Sequence, residues 1–466
     1  MAASTGSDGD LIDLDVTGVA HGGVFVGRHE GRVVFVPDAI PGERVRVRLT
    51  DTSKDSFWRG ETMEVLDASP HRRAHVWRQA DVDVPPEDRP GGADFGHIEL
   101  AHQRALKLQV LLESLQRIGG IDDVPVAIRP ASPVLSGDGD LIAVESADGS
   151  GWRTRVSLHV DADGRVGPYA ARSHRVIPVD DLPLATAAVE RAALGLQAGI
   201  PGRIDLVQPA DGEVRILARP APVDHGRGRG RSRRGSSDGR ARSHPAPAPA
   251  SPGDPALEVV VERVGGRAFR VDAGGFWQVH RLAAGTLSEV VSGRVRGLHA
   301  DGPPIDPDGW HLDLYGGVGL FAATLGDLGG AATRVTSVES DSRATEHAGA
   351  NLAEWVGARA ETARVDRWIA QAGANASTAD RARLARGVVV LDPPRSGAGR
   401  EVVEGIADLE PATIVYVACD PVALARDLAT FRAVGYDTTT IDALDLFPNS
   451  HHVEAVAVLT RMSEPR

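Results

Sequence analysis

The last 200 or so residues alternate short apolar runs with helix-length stretches of mixed polarity, and few folds accept that order. Strand, helix and strand in succession make a doubly wound, mostly parallel α/β sheet of the Rossmann-like type. The runs read as strands are 311–315, 334–339, 387–391, 413–418 and 453–459. Val388-Val389-Val390-Leu391 is apolar throughout, as a strand covered on both faces must be. Ligands of such sheets collect at the carboxyl ends of the strands, so the residues that follow each run carry the functional expectation.

Four segments stand at such ends. Leu312-Asp313-Leu314-Tyr315-Gly316-Gly317-Val318-Gly319 runs from a strand into a glycine turn, and Glu339 follows Gly319 by twenty residues at the end of the next strand. That spacing suits a nucleoside cofactor whose ribose hydroxyls donate to the acid, although nicotinamide-dependent enzymes share it. Asp392-Pro393-Pro394-Arg395 closes the fully apolar strand, and its fixed proline backbone predicts a rigid wall against a planar base; a merely stiffened loop is the plainer alternative. Tyr416-Val417-Ala418-Cys419-Asp420-Pro421 sets a thiol where a helix begins, which predicts a lowered pKa and a reactive thiolate. Asn449-Ser450-His451-His452-Val453-Glu454 precedes the last strand and offers Glu454 as a general base. The adjacent histidines do not predict a shared metal, because neighbours in an extended segment point to opposite sides.

Upstream the pattern changes. Residues 11–68 hold short β-branched runs at 24–26, 32–36 and 44–49, separated by Gly31 and Pro41-Gly42, and predict a small β-barrel. Arg44, Arg46 and Arg48 alternate with apolar residues there, so one strand can turn three cations outward, either to RNA or simply to water. Residues 69–223 form a central α+β region with a helix over 100–118 and strands such as 153–160. Residues 224–254 carry seven arginines between Arg227 and Arg242 and then a Pro/Ala run, a composition with no core-forming residues that predicts a disordered insert. The remaining 255–466 are the α/β domain.

Bulk properties narrow the function. The single cysteine excludes an internal disulfide, a zinc site built from several thiolates and a cluster with four cysteine ligands. A formal charge of −13 argues against coating nucleic acid non-specifically, but leaves room for a local basic face. No apolar run of about 18 residues and no secretory-type start are present, so no membrane span and a cytoplasmic, monomeric protein are expected.

Taken together, these segments resemble the RNA uracil-5 methyltransferase family, which includes bacterial transfer-RNA and ribosomal-RNA enzymes. The barrel looks like a TRAM domain, an RNA-binding module. Phe276-Trp277-Gln278-Val279-His280 is similar to the family's aromatic-aromatic-Gln-Val-Asn segment, and the Asp313, Asp392, Cys419 and Glu454 motifs stand in family order. The resemblance implies that Gln278, Tyr315, Glu339 and Asp392 line a site for S-adenosyl-L-methionine, with Asp366 near the adenine, and that Cys419 is the nucleophile and Glu454 the base. The acceptor it implies is a uridine of transfer or ribosomal RNA. Gly316, His280, Ala418 and Asp420 depart from the family pattern. Residues 90–97 look like the family's cluster-binding stretch without its cysteines, which implies that no iron–sulfur cluster is bound.

The implied chemistry accounts for the residue types. Carbon 5 of uracil is a poor nucleophile until a thiolate adds to carbon 6, and the proton left on carbon 5 then needs a base. The target base must also be turned out of its stack. Two other readings remain: a methyltransferase acting on another base or an amine, which needs no thiol, and a non-catalytic RNA-binding relative.

Overall fold

The computed structural model describes residues 7–135, 138, 140–221, 253–297 and 303–462. The arginine-rich insert expected at 224–254 lies outside them except for Gly253 and Asp254. Among the described residues no helix is long and apolar enough to cross a membrane.

The N-terminal strands Leu11–Ala20, Val24–His29, Arg32–Val36, Arg44–Asp51 and Phe57–Asp67 close into a five-stranded barrel. Alternation decides its inside: Val45, Val47 and Leu49 are buried while Arg44, Arg46 and Arg48 point out. Those arginines are not a free cationic row. Arg44 and Arg46 pair with Asp13, Arg46 also with Glu64 (3.0 Å), and Arg48 with Glu61 (2.8 Å). Phe95, Ile98 and Leu106 of the central region complete the barrel's apolar core, which ties the two regions together.

The C-terminal region is built on an eight-stranded sheet. In chain order its strands are β1 (Val126–Pro130), β2 (His311–Leu314), β3 (Val335–Glu339), β4 (Arg359–Thr362), β5 (Val388–Leu391), β6 (Thr413–Ala418), β7 (Tyr436–Asp445) and β8 (Glu454–Arg461). Their spatial order is β4-β3-β2-β5-β6-β8-β7-β1. The order reverses between β2 and β5, as a doubly wound sheet requires. Strand β8 runs antiparallel to both neighbours, and β1 reaches the far edge from the central region. Separate apolar clusters cover the two faces.

Register explains how distant motifs converge. Leu314 pairs with Val338 and with Leu391, and Leu391 with Tyr416, so β2, β3, β5 and β6 end at nearly one level. Ala418 pairs with Ala455 across the antiparallel β6–β8 ladder, which brings the residue after Ala418 opposite the residue before Ala455. Cys419 and Glu454 are those residues.

The central region contributes the helix α1 (Leu100–Ser114), extended by a wider turn over Leu115–Gly119, and a four-stranded sheet that includes Arg155–Val160 and Gly202–Val207. Helix α1 buries Lys107, which donates to Asp445 at 2.5 Å, while Arg104 bonds Asp445 at 3.1 Å. A buried ammonium without such partners would be costly.

Candidate active site

A cavity of about 1070 Å³ opens along the carboxyl edge of the sheet. Gln278, Tyr315, Glu339, Asp392, Cys419 and Glu454, the six residues singled out from sequence, all line it. Asp366 does not. It starts the helix Val365–Asn375, pairs with Arg364 at 2.7 Å and lines a neighbouring cavity that shares Tyr315 and Ser340 with the main one.

The end formed by β2 and β3 is polar and internally bonded. Tyr315 holds a left-handed backbone (φ 61°), a strained state for a non-glycine residue, as the chain swings from β2 into the turn before α2 (Leu320–Gly329). Gly317 donates its N–H to Glu339 Oε2 (3.2 Å), and the Asp341 N–H and Ser340 hydroxyl donate to Oε1 (2.8 and 2.9 Å). Glu339 is thereby fixed with spare acceptor capacity toward the cavity. Below the turn, Asp313 is fully buried; burial pushes its carboxyl up to about 7, although it accepts from the Ala322 N–H. Gly316 is a packing necessity, since a Cβ there would crowd Ser337 Oγ and come within 2.7 Å of Asp313 Oδ2.

The other end concentrates buried ionisable groups. Burial pushes Asp392 up to about 7, helped by repulsion from Asp313. Glu454 is raised well above the carboxylate range by burial and by Asp392, with the Arg395 guanidinium opposing. The Cys419 thiol is pushed up to about 12 by burial and then by Glu454 and Asp392. This overturns the lowered thiol pKa expected from the helix N-terminus. The reason is local: Asp420 caps α3 (Pro421–Ala433), its Oδ1 accepting from the Val422 and Ala423 N–H groups at 3.0 and 2.8 Å. The helix's positive end is engaged by that carboxylate, and two further acids crowd the sulfur.

Asp420 also explains a departure. Its Oδ2 lies 2.9 Å from Nε2 of His21, at the tip of a barrel hairpin, so the barrel touches the residue next to the thiol. The tip is tightly seated, for a Cβ on Gly23 would meet the His451 ring at 2.7 Å. His451 in turn pairs with Asp94 at 2.7 Å. His280 is structural: it stacks on Trp152 (5.3 Å between centroids), accepts the Leu282 N–H at 3.0 Å and is depressed to about 4 by burial. In the 90–97 stretch, Ala93 packs into an apolar cluster with Trp77, Ala80, Trp152 and Leu182. Among the described residues no group of His, Cys, Asp and Glu is arranged to hold a metal ion.

Three lining residues had no role assigned from sequence. Arg395 lies near the Cys419–Glu454 pair and 3.5 Å from His452, and the Asp-Pro-Pro-Arg motif already contained it. Phe276 is 72% exposed, a large aromatic left at the cavity wall. Arg153 reaches the site from the central sheet, a contact that only the tertiary fold creates.

Known proteins place this geometry. Residues 8–66 match the TRAM domain model, and residues 310–462 match the model for tRNA (Uracil-5-)-methyltransferase. The chain is 36% identical to an uncharacterized RNA methyltransferase of Streptomyces avermitilis, covering 97% of this chain and 98% of that one. It is 37% identical to another from Streptomyces coelicolor, with 97% and 93% covered. A crystal structure of the Pyrococcus abyssi tRNA (uracil-54, C5)-methyltransferase, in complex with S-adenosyl-L-homocysteine, shares the fold at a TM-score of 0.61 and 21% identity, covering 96% of this chain and all of that one. Barrel, sheet and sequence therefore agree that the chain belongs to the TRAM-containing RNA methyltransferases of the tRNA (uracil-5-)-methyltransferase family.

Proposed function

We propose that the protein transfers a methyl group from S-adenosyl-L-methionine to carbon 5 of a uridine in folded transfer or ribosomal RNA, with Cys419 as nucleophile and Glu454 as base. The observation that carries this reading is the opposition of Cys419 and Glu454 across the β6–β8 ladder, inside the same cavity as Tyr315, Glu339 and Asp392.

The donor set fits the cofactor. S-adenosylmethionine carries a sulfonium, an ammonium and a ribose diol, and the cavity wall offers Asp272, Glu339, Asp341 and Asp392. Glu339 would take the ribose hydroxyls, Tyr315 and Gln278 would bound the pocket, and Asp392 would face the uracil side. When bound, the cofactor supplies an electrophilic methyl group. The protein's own residues do the rest. Cys419 Sγ, its proton released to solvent, would add to carbon 6 and drive electron density to carbon 5, which would take the methyl group as that group's bond to the sulfonium breaks. Glu454 then removes the proton from carbon 5, the carbon 5–carbon 6 double bond returns and the sulfur leaves. Burial and Asp392 raise the Glu454 carboxyl, so its carboxylate form is a stronger base than a solvated one. The Arg395 guanidinium is the group that favours the thiolate against its acidic neighbours.

One observation favours a second reading. A thiol pushed up to about 12 is protonated in the free protein, and direct methylation of an amine on another base needs no thiolate. Cys419→Ala separates the two. With methyl-labelled cofactor and RNA lacking the modification, covalent catalysis predicts 5-methyluridine from the wild type and a loss of roughly 10⁴-fold or more in the variant, with cofactor affinity retained. A variant that still turns over, or label recovered on another base, overturns the uridine mechanism.

A further inference from the structure

A second cavity, of about 360 Å³, opens in the central region, and Gly92 and Arg153 line both it and the main cavity. Its chemistry differs from its surroundings. The chain carries a net charge of −13, yet among the described residues no Asp or Glu lines this cavity, whereas Arg153, Arg172 and His159 do. Among the described residues neither guanidinium has a carboxylate partner. Arg153 bonds only the Arg155 carbonyl (3.0 Å) and sits 5.7 Å from the Trp152 ring centre. Among the described residues Arg172 makes no side-chain hydrogen bond or ion pair; its backbone is left-handed (φ 58°), and the acid it influences, Asp94, is engaged by His451.

The cavity also contains a built aromatic platform. The Tyr169 and His159 rings stack with centroids 3.5 Å apart and planes 11° apart, and His174 meets Tyr169 edge-on at 5.2 Å. Burial lowers the His159 pKa, so a neutral imidazole backs the tyrosine. Gly92 forms the shared wall with a left-handed backbone (φ 106°) and open space where a Cβ would stand. Unpaired cations beside a flat aromatic surface are the features with which proteins hold unstacked nucleotides, phosphate on the cations and base on the ring. The volume falls within the range of small-ligand sites.

We propose that this cavity binds a second, unstacked nucleotide of the substrate RNA, a near neighbour of the methylated uridine on the same strand, with its base on Tyr169 and its phosphate between Arg153 and Arg172. The proposal rests on the RNA reading above and adds a subsite to it. The cavity would then help to choose which uridine is turned out, since only a loop able to release two nearby nucleotides fills both pockets.

The test measures methyl transfer by wild type, Tyr169→Leu and Arg172→Ala on one RNA, and on the same RNA with abasic sites at positions flanking the target. Loss of a base–aromatic stack is expected to raise KM for RNA by about 5- to 150-fold in Tyr169→Leu, with kcat and cofactor affinity unchanged. Arg172→Ala is expected to raise it less and to flatten its salt dependence. One abasic position should cost the wild type about the same factor and cost Tyr169→Leu almost nothing, because both changes remove one contact. If Tyr169→Leu also loses cofactor binding, its fold is damaged, and Arg172→Ala, whose side chain is exposed, decides. Unchanged KM values in active enzyme, or abasic penalties that add fully to the variants' losses, overturn the subsite and leave the methyltransferase reading standing. Equal rescue by free uridine monophosphate would show a mononucleotide site instead and would also overturn it. A wild type that methylates no RNA would count against the proposed function itself, whereas RNA binding that survives but ignores Tyr169 would count against the subsite alone.

Discussion

At the β2–β3 end of the main cavity, Glu339 accepts three short-range hydrogen bonds from Gly317, Ser340 and Asp341 and, among the described residues, keeps its place without a charged partner. At the β5–β6–β8 end, burial pushes Asp392, Cys419 and Glu454 toward their neutral forms, Asp392 adds to the effect on Glu454, and both acids add to the effect on Cys419. The first end is prepared for binding: its acceptors are oriented before any ligand arrives. In the proposed function the second end handles protons, since groups held neutral by burial change state when a ligand alters the local field. Both ends rest on one sheet edge, so the difference comes from what surrounds each strand terminus and not from the fold.

Glu454→Gln is expected to produce the largest effect at the second end. The amide preserves shape but has almost no basicity, so turnover should fall by about 10²- to 10⁴-fold. Addition of the sulfur precedes the lost step, so a methylated protein–RNA adduct should accumulate and survive denaturing electrophoresis. The double variant with Cys419→Ala should give none. Wild-type turnover without an adduct would move the base elsewhere, with His451 and His452 next to test.

Glu339→Ala should affect the first end alone. Losing hydrogen bonds to an ionised acceptor costs about 1.5–3 kcal/mol. The expected result is a 10- to 150-fold rise in KM for S-adenosylmethionine with kcat for RNA nearly intact. A matching fall in kcat would show that the two ends are not separable.

Alkylation of Cys419 by iodoacetamide tests the suppressed thiol directly, since it is the chain's single cysteine. The folded-state value of about 12 lies above the free thiol's, so the fraction of thiolate is small at neutral pH and grows about tenfold per pH unit. Labelling should therefore be slow at pH 7 and still be rising at pH 9. A plateau below pH 8 would mean that the thiol is activated before substrate binds, and the contrast between the ends would fail.

Much of this plan was legible in the sequence because buried strands leave a strong signal. Val388–Leu391 and Thr413–Ala418 are apolar at nearly every position, and each is followed by the residue that matters. Strand β7 escaped notice because Thr438-Thr439-Thr440 and Asp442 interrupt its alternation, and β1 because it joins the sheet from a different part of the chain. Five of the six site residues are legible for a similar reason, each lying beside a strand end that composition marks, whereas Gln278 rests on the family resemblance of the Phe276–His280 segment. The thiol's direction of shift is not legible. It depends first on burial and then on Glu454 across the β6–β8 ladder and Asp392 beyond β5, facts of tertiary structure that no local pattern carries; only the Asp420 cap is local. The pairing of the barrel arginines is not legible either, since their acidic partners come from neighbouring strands and, for Arg48, also from Glu87.

The smallest expected effect concerns the barrel's hold on the helix that follows Cys419. His21 reaches Asp420 from the barrel, and its pKa is raised, chiefly by that hydrogen bond. The pair's side chains are 48% and 22% exposed, and ion pairs open to solvent contribute about 0–1 kcal/mol, so His21→Ala should change kcat by less than about 5-fold. The sign of its pH dependence follows from the direction of the shift. A histidine raised in the folded state favours the docked barrel fully below the ordinary value of 6.5 and loses that contribution as pH rises through the raised one. Wild type and His21→Ala should therefore differ most below pH 6.5 and converge at pH 8 to 9, with cofactor affinity equal throughout. His21→Gln, which can still donate to Asp420, should remove the pH dependence while keeping most of the rate. If His21→Ala instead lowers kcat a hundredfold at every pH, the barrel is part of the chemical end of the cavity, and the division between the two ends has to be redrawn around Asp420.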